Sequence, residues 1–448
     1  MTTPDEALAG FAASLGPADL PPAVAERVRL HLLDAIACAL AGVRAEHAAE
    51  VRGVAEVAFG GGGSTVIGGA PLSPAGATLV NGFQIAAPTL GDVHRATLTH
   101  VMPEVLPAAL AAGQLGGAAG ADVLCGVAAG MEVTVRLAEA LDSDEYRSRG
   151  FHNPGISGAV GAACAAARTM RLSSELMGVG IGHAVSQAGG TFAALGSDGV
   201  KVHQARGALS GFLAACLAGA GVSASDQALT APRGGLLAAY AGGGRVERLV
   251  DGLGSDWRLM DVALRRWPGA SSLQPVIEAS LRLRARAGEG LAEGARAIVA
   301  LPPRAYGLNG SSGWSTRLAA LQSARWAVAV ALTDGEVWLE QTSDARLRDE
   351  SVGRLAGQSV EVVEDATLPP AGARVTLRTD AGRELVEQVD VPAGDGARPL
   401  SWDEVVEKLG RAASDGGLGG RVGAISAAVQ SLESAPSLAD LTTLLEAT

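Results

Sequence analysis

Cysteine, lysine, aromatic side chains and long apolar runs are all scarce in this chain, and several of these scarcities close off a class of function. Four cysteines (Cys38, Cys125, Cys164 and Cys216) are spread over 448 residues. Each sits in an Ala- or Gly-rich segment without CxxC spacing, so zinc and redox roles are disfavoured and buried, inert thiols are expected. No helical HxxxH-type pair or carboxylate cluster is present, so no metal site is expected. A formal net charge of −12 argues against nucleic acid or an anionic membrane as a general partner, since both need clustered basic residues. No apolar run reaches the ~18 residues that would cross a bilayer, and Met1-Thr-Thr-Pro-Asp-Glu6 lacks the basic and apolar regions of a signal peptide. A cytoplasmic protein is expected. The low lysine and aromatic counts in themselves say nothing of chemistry.

Hydrophobic residues at 48% and charged residues at 18% describe a globular chain with a large core, long enough for two or three domains. Arg27 to Gly42 places Val28, Leu32, Ile36 and Leu40 at helical spacing and ends on glycine. The Ala-rich stretches 73–88, 104–117, 121–141, 155–170, 174–190 and 204–221 have the same character. Gly155-x-x-Gly158-x-x-Gly161 follows no strand, so it reads as close helix packing rather than a dinucleotide turn. Gly60-Gly-Gly-Gly-Ser64 lacks the following Gly-Lys of a phosphate cradle and reads as a loop. Beyond residue 266 the pattern predicts strands at 297–301, 359–363, 374–378 and 384–391, the last two joined by a turn at Asp380-Ala-Gly382, with helices near 273–285, 315–334 and 349–355. Ser401-Trp-Asp-Glu404 begins a capped helix. The expected fold class is mainly α with α+β: an all-helical domain over 1–265, an α+β domain over 266–398, and C-terminal helices over 399–448 returning to the first domain.

Titratable residues concentrate at a few points in this apolar background. Leaving aside His31, His47 and His183, which read as core histidines, the imidazoles lie in Asp92-Val-His94-(x5)-His100 with Glu104, in Gly150-Phe-His152-Asn-Pro154, and in Lys201-Val-His203. Removing a proton next to a carboxylate requires a base of near-neutral pKa and cations where enolate-like charge develops. His100 and His152 suit base and acid; Lys201 and Arg265 suit the charge. His152 lies in a tight loop at a helix start, where amides and side chains meet anions. His203 either supports Lys201 or simply belongs to the following helix. Asp92 either orients His94 or caps a helix. Arg265 and Arg266 could fork onto a carboxylate, or stack on Trp267.

Leu33-Asp-Ala-Ile-Ala-Cys-Ala-Leu-Ala-Gly42, Val80-Asn-Gly82, Asp92-x-His94, Thr99-His100, Gly150-Phe-His152-x-Pro154 and Gly196-(x4)-Lys201-x-His203 stand in the order and spacing of the MmgE/PrpD superfamily. The chain resembles that superfamily over roughly residues 5–335. The resemblance implies a homodimer, a helical domain built from both chain ends, an α+β domain covering the site, and cofactor-free chemistry on small di- or tricarboxylates. It maps His100, His152 and Lys201 onto active-site positions, and Asp92 and His94 onto the end of an acidic Asp-x-Asp-Asp-x-His segment. Ser323 falls where a serine faces the site, although a serine bonding its own backbone reads equally well. Three positions depart from the pattern. Thr89 or Leu90 stands for the leading acidic residue, Arg265 for a lysine, and Gln274 for a histidine. The expected function is a cofactor-independent lyase, dehydratase- or decarboxylase-like, with an isomerase or epimerase using the same proton-transfer site as the alternative. A degenerate homologue serving as a binding or scaffold subunit is the non-enzymatic reading.

Overall fold

The computed structural model describes residues 2–142, 144–288, 295–379 and 382–447. It divides into two compact units, one comprising residues 1–262 and 401–448 and the other residues 263–400. The fold class is mainly α with a small α+β part.

The first unit is helical. Its main elements are α1 (Pro4–Ser14), α2 (Pro22–Gly42), α3 (Ala48–Phe59), α4 (Pro74–Ala86), α5 (Met102–Gly116), α6 (Gly120–Leu141), the single-turn α7 (Asp144–Ser148), α8 (Pro154–Thr169), α9 (Ser174–Val185) and α10 (Gly199–Gly219). Helix Trp402–Asp415 packs on α2. Local chemistry sets many of the starts. Proline occupies the first turn of α1, α2, α4, α5 and α8, where its missing N–H costs nothing, and Ser73 and Ser173 accept amide hydrogens at the ends of α4 and α9. The segment expected to be helical to residue 190 stops at Val185, and residues 186–191 form a loop through Gly190 at φ 146°. Almost every residue of α2, α6 and α8 is buried, so these are interior helices. Their small side chains allow this: a Cβ on Gly161 would overlap Thr134 and the carbonyl of Gly130, and one on Gly211 would overlap Ala162. Larger residues fill the remainder, and truncating a fully buried Leu33 or Leu40 to alanine costs about 2–5 kcal/mol.

The second unit carries a four-stranded mixed sheet built from β1 (Arg296–Leu301), β2 (Val360–Glu364), β3 (Ala373–Arg378) and β4 (Glu384–Val389), in the order β2-β1-β3-β4. β1 runs parallel to β2, with Ala297 opposite Val360, and antiparallel to β3, with Val299 opposite Val375; β4 closes the sheet with Val386 opposite Thr376. Residues 380 and 381 of the expected β3–β4 turn lie outside the described residues. Helices Gln274–Ala287 and Ala324–Asp334 pack on the sheet around buried Trp326, Val328 and Val330. The single helix expected over 315–334 is broken at Leu321–Ser323. Ser323 Oγ accepts the Trp326 amide at 3.3 Å and starts a new helix there.

The expectation of buried thiols fits Cys38, Cys125 and Cys164, while Cys216 is only partly buried; all four are free. His31 is fully buried, but His47 is not a core residue. Its side chain is 51% exposed beside Glu46 and Asp198, because a left-handed backbone (φ 62°) turns it out ahead of α3. Among the described residues no helix is long and apolar enough to cross a membrane.

Candidate active site

Three segments of the helical unit carry the chemistry. The first is the loop between α4 and α5. Asp92 accepts the amides of Val101 at 3.4 Å and Met102 at 3.0 Å, so its carboxylate caps α5, whose own N-cap residue is a valine without a polar side chain. His100 Nδ1 lies 2.6 Å from the carbonyl oxygen of Asp92. A carbonyl can only accept, so Nδ1 carries the hydrogen and, in the neutral ring, Nε2 carries the lone pair. Thr89 opens this loop in the left-handed region (φ 54°), a conformation that costs a β-branched residue about 1–3 kcal/mol.

The second segment is the turn before α8. Gly150 takes φ 71°, and the turn is zipped to residues 189–192: the His152 amide donates to Gly190 O (3.0 Å), Phe192 N to Gly150 O (2.8 Å) and Gly189 N to Gly155 O (3.1 Å). Arg206 holds this pairing from α10, donating to the carbonyls of Gln187, Gly189 and Gly155. The third segment is the first turn of α10. Lys201 is 6% exposed, not a solvated turn lysine, and its Nζ donates to Thr89 Oγ1 at 2.8 Å. His203 Nδ1 lies 3.2 Å from His152 Nδ1. One hydrogen must serve both nitrogens, so one ring donates and the other accepts.

Electrostatics follow from burial. Desolvation, then repulsion from His203 and Lys201, pushes His152 down to about 3, so its ring is neutral at physiological pH. His203 is lowered too, by burial and then by Arg206. Glu104, on the first turn of α5, is fully buried, and its Cγ lies against Gly158 of α8 and Gly207 of α10, where any side chain would collide or crowd. Neither carboxyl oxygen has a hydrogen-bond partner among the described residues. Burial, then the charge of Asp92, raises its pKa well above the ordinary carboxylate value, which favours the protonated form. Thr99 Oγ1, from the loop before α5, and Ser157 Oγ of α8 are 3.3 Å apart.

Comparison with known proteins gives this arrangement a context. Residues 6–249 match the MmgE/PrpD N-terminal domain and residues 267–433 the MmgE/PrpD C-terminal domain. The chain belongs to the MmgE/PrpD family. Its curated relatives include a cis-aconitate decarboxylase-like protein of Aspergillus oryzae, 27% identical over 98% of this chain and 96% of the relative. A cis-aconitate decarboxylase of Aspergillus terreus is 29% identical over 97% and 94%, and that of Homo sapiens is 26% identical over 86% and 82%.

Within this MmgE/PrpD chain, the helical unit brings His152, His203 and Lys201 together and ties Lys201 to the loop that also carries Asp92 and His100. His94 turns elsewhere. Its Nδ1 meets Thr97 at 2.9 Å and its Nε2 lies 3.9 Å from Glu139 of α6, and burial lowers its pKa despite nearby carboxylates. The remaining sequence candidates belong to the α+β unit. Gln274 is fully buried; its Oε1 accepts the amides of Arg266 and Trp267 at 3.0 and 3.2 Å, and its Nε2 donates to Trp267 O at 2.9 Å. Arg265 donates to Gly269 O at 3.2 Å, Arg266 lies over Trp267 at 5.5 Å, and Ser323 Oγ donates to Ser312 O at 2.8 Å.

Of the two residues that could replace the leading acid, Thr89 is the one whose side chain meets Lys201, while Leu90 is fully buried. The sequence offers Thr89 or Leu90 for the leading acid and groups Glu104 with His94 and His100, but it points to neither Ser157 nor Arg206. Glu104 carries its signal as an acidic residue on an otherwise apolar helix face. Among the described residues no group of three or more His, Cys, Asp or Glu side chains is placed to hold a metal ion.

Proposed function

We propose that this protein is a lyase acting on a small unsaturated tricarboxylate of the cis-aconitate class, with decarboxylation as the net reaction and no cofactor in any step. The observation that carries the reading is the Lys201–His152–His203 group: a buried ammonium beside two imidazoles that share one hydrogen. Its family membership and the names of its relatives support the same reaction class.

A buried ammonium pairs strongly with a carboxylate, because little water competes for either. With one carboxylate held at Lys201, the C–C bond to a second carboxyl on the saturated arm breaks. Carbon dioxide leaves and the bonding pair passes into the neighbouring alkene, giving a dienolate stabilised by the carboxylate that remains. A proton returned to the far carbon completes an unsaturated dicarboxylate. The imidazoles of His152 and His203, and Nε2 of His100, are the groups suited to hold and deliver that proton. A tricarboxylate brings the negative charge that favours a protonated imidazole, opposing the burial and the Lys201 repulsion that hold His152 near 3 in the unliganded protein.

Proton NMR of cis-aconitate with the purified protein in deuterated water tests the reading. Loss of substrate, with one deuteron appearing in a product short of one carboxylate, supports it. Deuterium exchange into substrate without carbon dioxide release moves the assignment to an isomerase, and no reaction with any citrate-, aconitate- or aspartate-derived acid rejects the catalytic reading.

We further propose a cytoplasmic homodimer. Val202, Leu213 and Leu217 share an exposed face of α10, with Phe192 and Leu195 also exposed in the segment just before it. Sedimentation equilibrium distinguishes a dimer from a monomer, and Leu213→Glu with Leu217→Glu would shift a dimer of this kind to monomer.

A further inference from the structure

The chain contains only two lysines, Lys201 and Lys408; every other of its 35 basic side chains is arginine. Both lysines are buried, at 6% and 4% exposure, and both end on adjacent residues of one loop. Lys201 Nζ donates to Thr89 Oγ1 at 2.8 Å, and Lys408 Nζ donates to the carbonyl of Leu90 at 2.9 Å while pairing with Asp34 Oδ1 at 2.5 Å. Lys408 comes from helix Trp402–Asp415 and Asp34 from α2, so two elements remote in sequence meet at the loop between α4 and α5, just ahead of its two-residue strand Val93–His94.

In a chain that uses arginine almost everywhere else, lysine stands at the two buried places where a compact ammonium reaches this loop, Lys201 at the Thr89 hydroxyl and Lys408 at the Leu90 carbonyl and the Asp34 carboxylate together. A guanidinium is a wide planar fork, whereas an ammonium is a tetrahedral point donor. Thr89 sits in the left-handed region, unfavourable for a β-branched residue. Such a conformation persists only where neighbours impose it. Here its side chain is bonded from one side by Lys201, and the carbonyl of the next residue is bonded from the other by Lys408.

We propose that Lys408 is a positioning residue for Lys201: through the Leu90 carbonyl, the Asp34–Lys408 pair fixes the Thr89 conformation that sets where the Lys201 ammonium sits. This inference rests on the proposed role of Lys201 in holding substrate, but its first test does not depend on turnover. Lysine labelled with 15N gives two side-chain Nζ resonances in this protein, and Lys408→Met or Lys408→Arg leaves one.

In a folded Lys408 variant the remaining Lys201 resonance is expected to move from its wild-type position, and Thr89→Val is expected to move it too. If Lys408→Met does not fold, Lys408→Arg, which keeps the charge on Asp34, serves for the same comparison. A Lys201 resonance that coincides with wild type in a folded Lys408 variant overturns the proposal. Where the wild-type protein converts cis-aconitate, Lys408→Arg and Thr89→Val are each expected to raise KM about tenfold or more. The double variant should lie within about threefold of the worse single one, because both act on one contact. Effects on KM that multiply, or a fall in unfolding midpoint with KM unchanged, also overturn it. Absence of turnover by the wild-type protein strikes the proposed function alone and leaves the resonance test standing.

Discussion

In the helical unit, three buried side chains take partners from distant segments: Lys201 from Thr89, His152 from His203, Lys408 from Asp34. In the α+β unit, Gln274 bonds to residues 266 and 267 and Ser323 to Ser312, partners near them in sequence. The two kinds of burial have different origins. A glutamine that satisfies two amides and a carbonyl of one turn replaces bonds the backbone would otherwise lack, which is a structural duty. The Lys201 ammonium and the His152 ring meet side chains of other segments, Thr89 and His203, and desolvating them is a cost that a charged ligand can offset.

The largest expected effect separates the two units by activity. Lys201→Ala and His152→Ala in the helical unit should each lower kcat/KM for cis-aconitate by about 10²–10⁴-fold, with the circular dichroism spectrum and unfolding midpoint little changed. Retention of wild-type turnover by either variant would remove that residue from the site.

Next in size is the converse test in the α+β unit. Gln274→Ala leaves the amides of Arg266 and Trp267 and the carbonyl of Trp267 without their partner, and should cost about 2–3 kcal/mol of stability. Hydrogen exchange should place the loss within residues 263–400. An unchanged unfolding midpoint would deny Gln274 its structural duty.

Acid sharpens the contrast further, because the strongly depressed imidazoles lie in the helical unit. His31 is held at about 3, first by burial and then by Arg27. Its folded pKa lies below the unfolded value near 6.5, so the unfolded chain takes up the extra proton. Stability is therefore full above pH 6.5 and falls as pH drops toward 3. At pH 5 this single group costs about 2 kcal/mol relative to pH 7.5. His31→Leu should recover most of that difference at pH 5 and show little effect at pH 7.5. Identical pH profiles for the variant and the wild type would show that His31 is protonated in the folded state. The smallest effect belongs to Arg266→Ala, which removes a stacking contact on Trp267 and should cost less than about 1 kcal/mol, read from the shift in denaturation midpoint.

Much of the fold is legible in the sequence because apolar periodicity and end signals agree. Ser73, Pro74 and the Ala-rich run after them define α4 at both levels, and Ser401 with Glu404 forms the expected capping box. The break at Ser323 was not legible. An apolar run continues across it, and only the serine's turn toward the Trp326 amide ends one helix and begins another. At the site, His100, His152 and Lys201 stand out because titratable groups are rare in their surroundings. Thr89 does not stand out, since a β-branched residue in the left-handed region runs against local preference and is held there by bonds to it and to its neighbour. Glu104 carries the opposite lesson. It stands out in the sequence beside His94 and His100 as an acid on an apolar helix, and only the two glycines facing it, on α8 and α10, reveal that it is enclosed. Lys408 joins residue 90 from 318 positions away, a separation across which no local pattern carries information.

The most direct test of the claim that the helical unit holds a polycarboxylate beside a neutral imidazole pair is titration calorimetry with citrate at pH 6, in buffers of different ionisation enthalpy. Binding accompanied by net proton uptake, with the uptake lost in His152→Gln and the binding itself lost in Lys201→Met, is the predicted result. Citrate that fails to bind, or that binds with the same heat in every buffer and equally well to Lys201→Met, would contradict it.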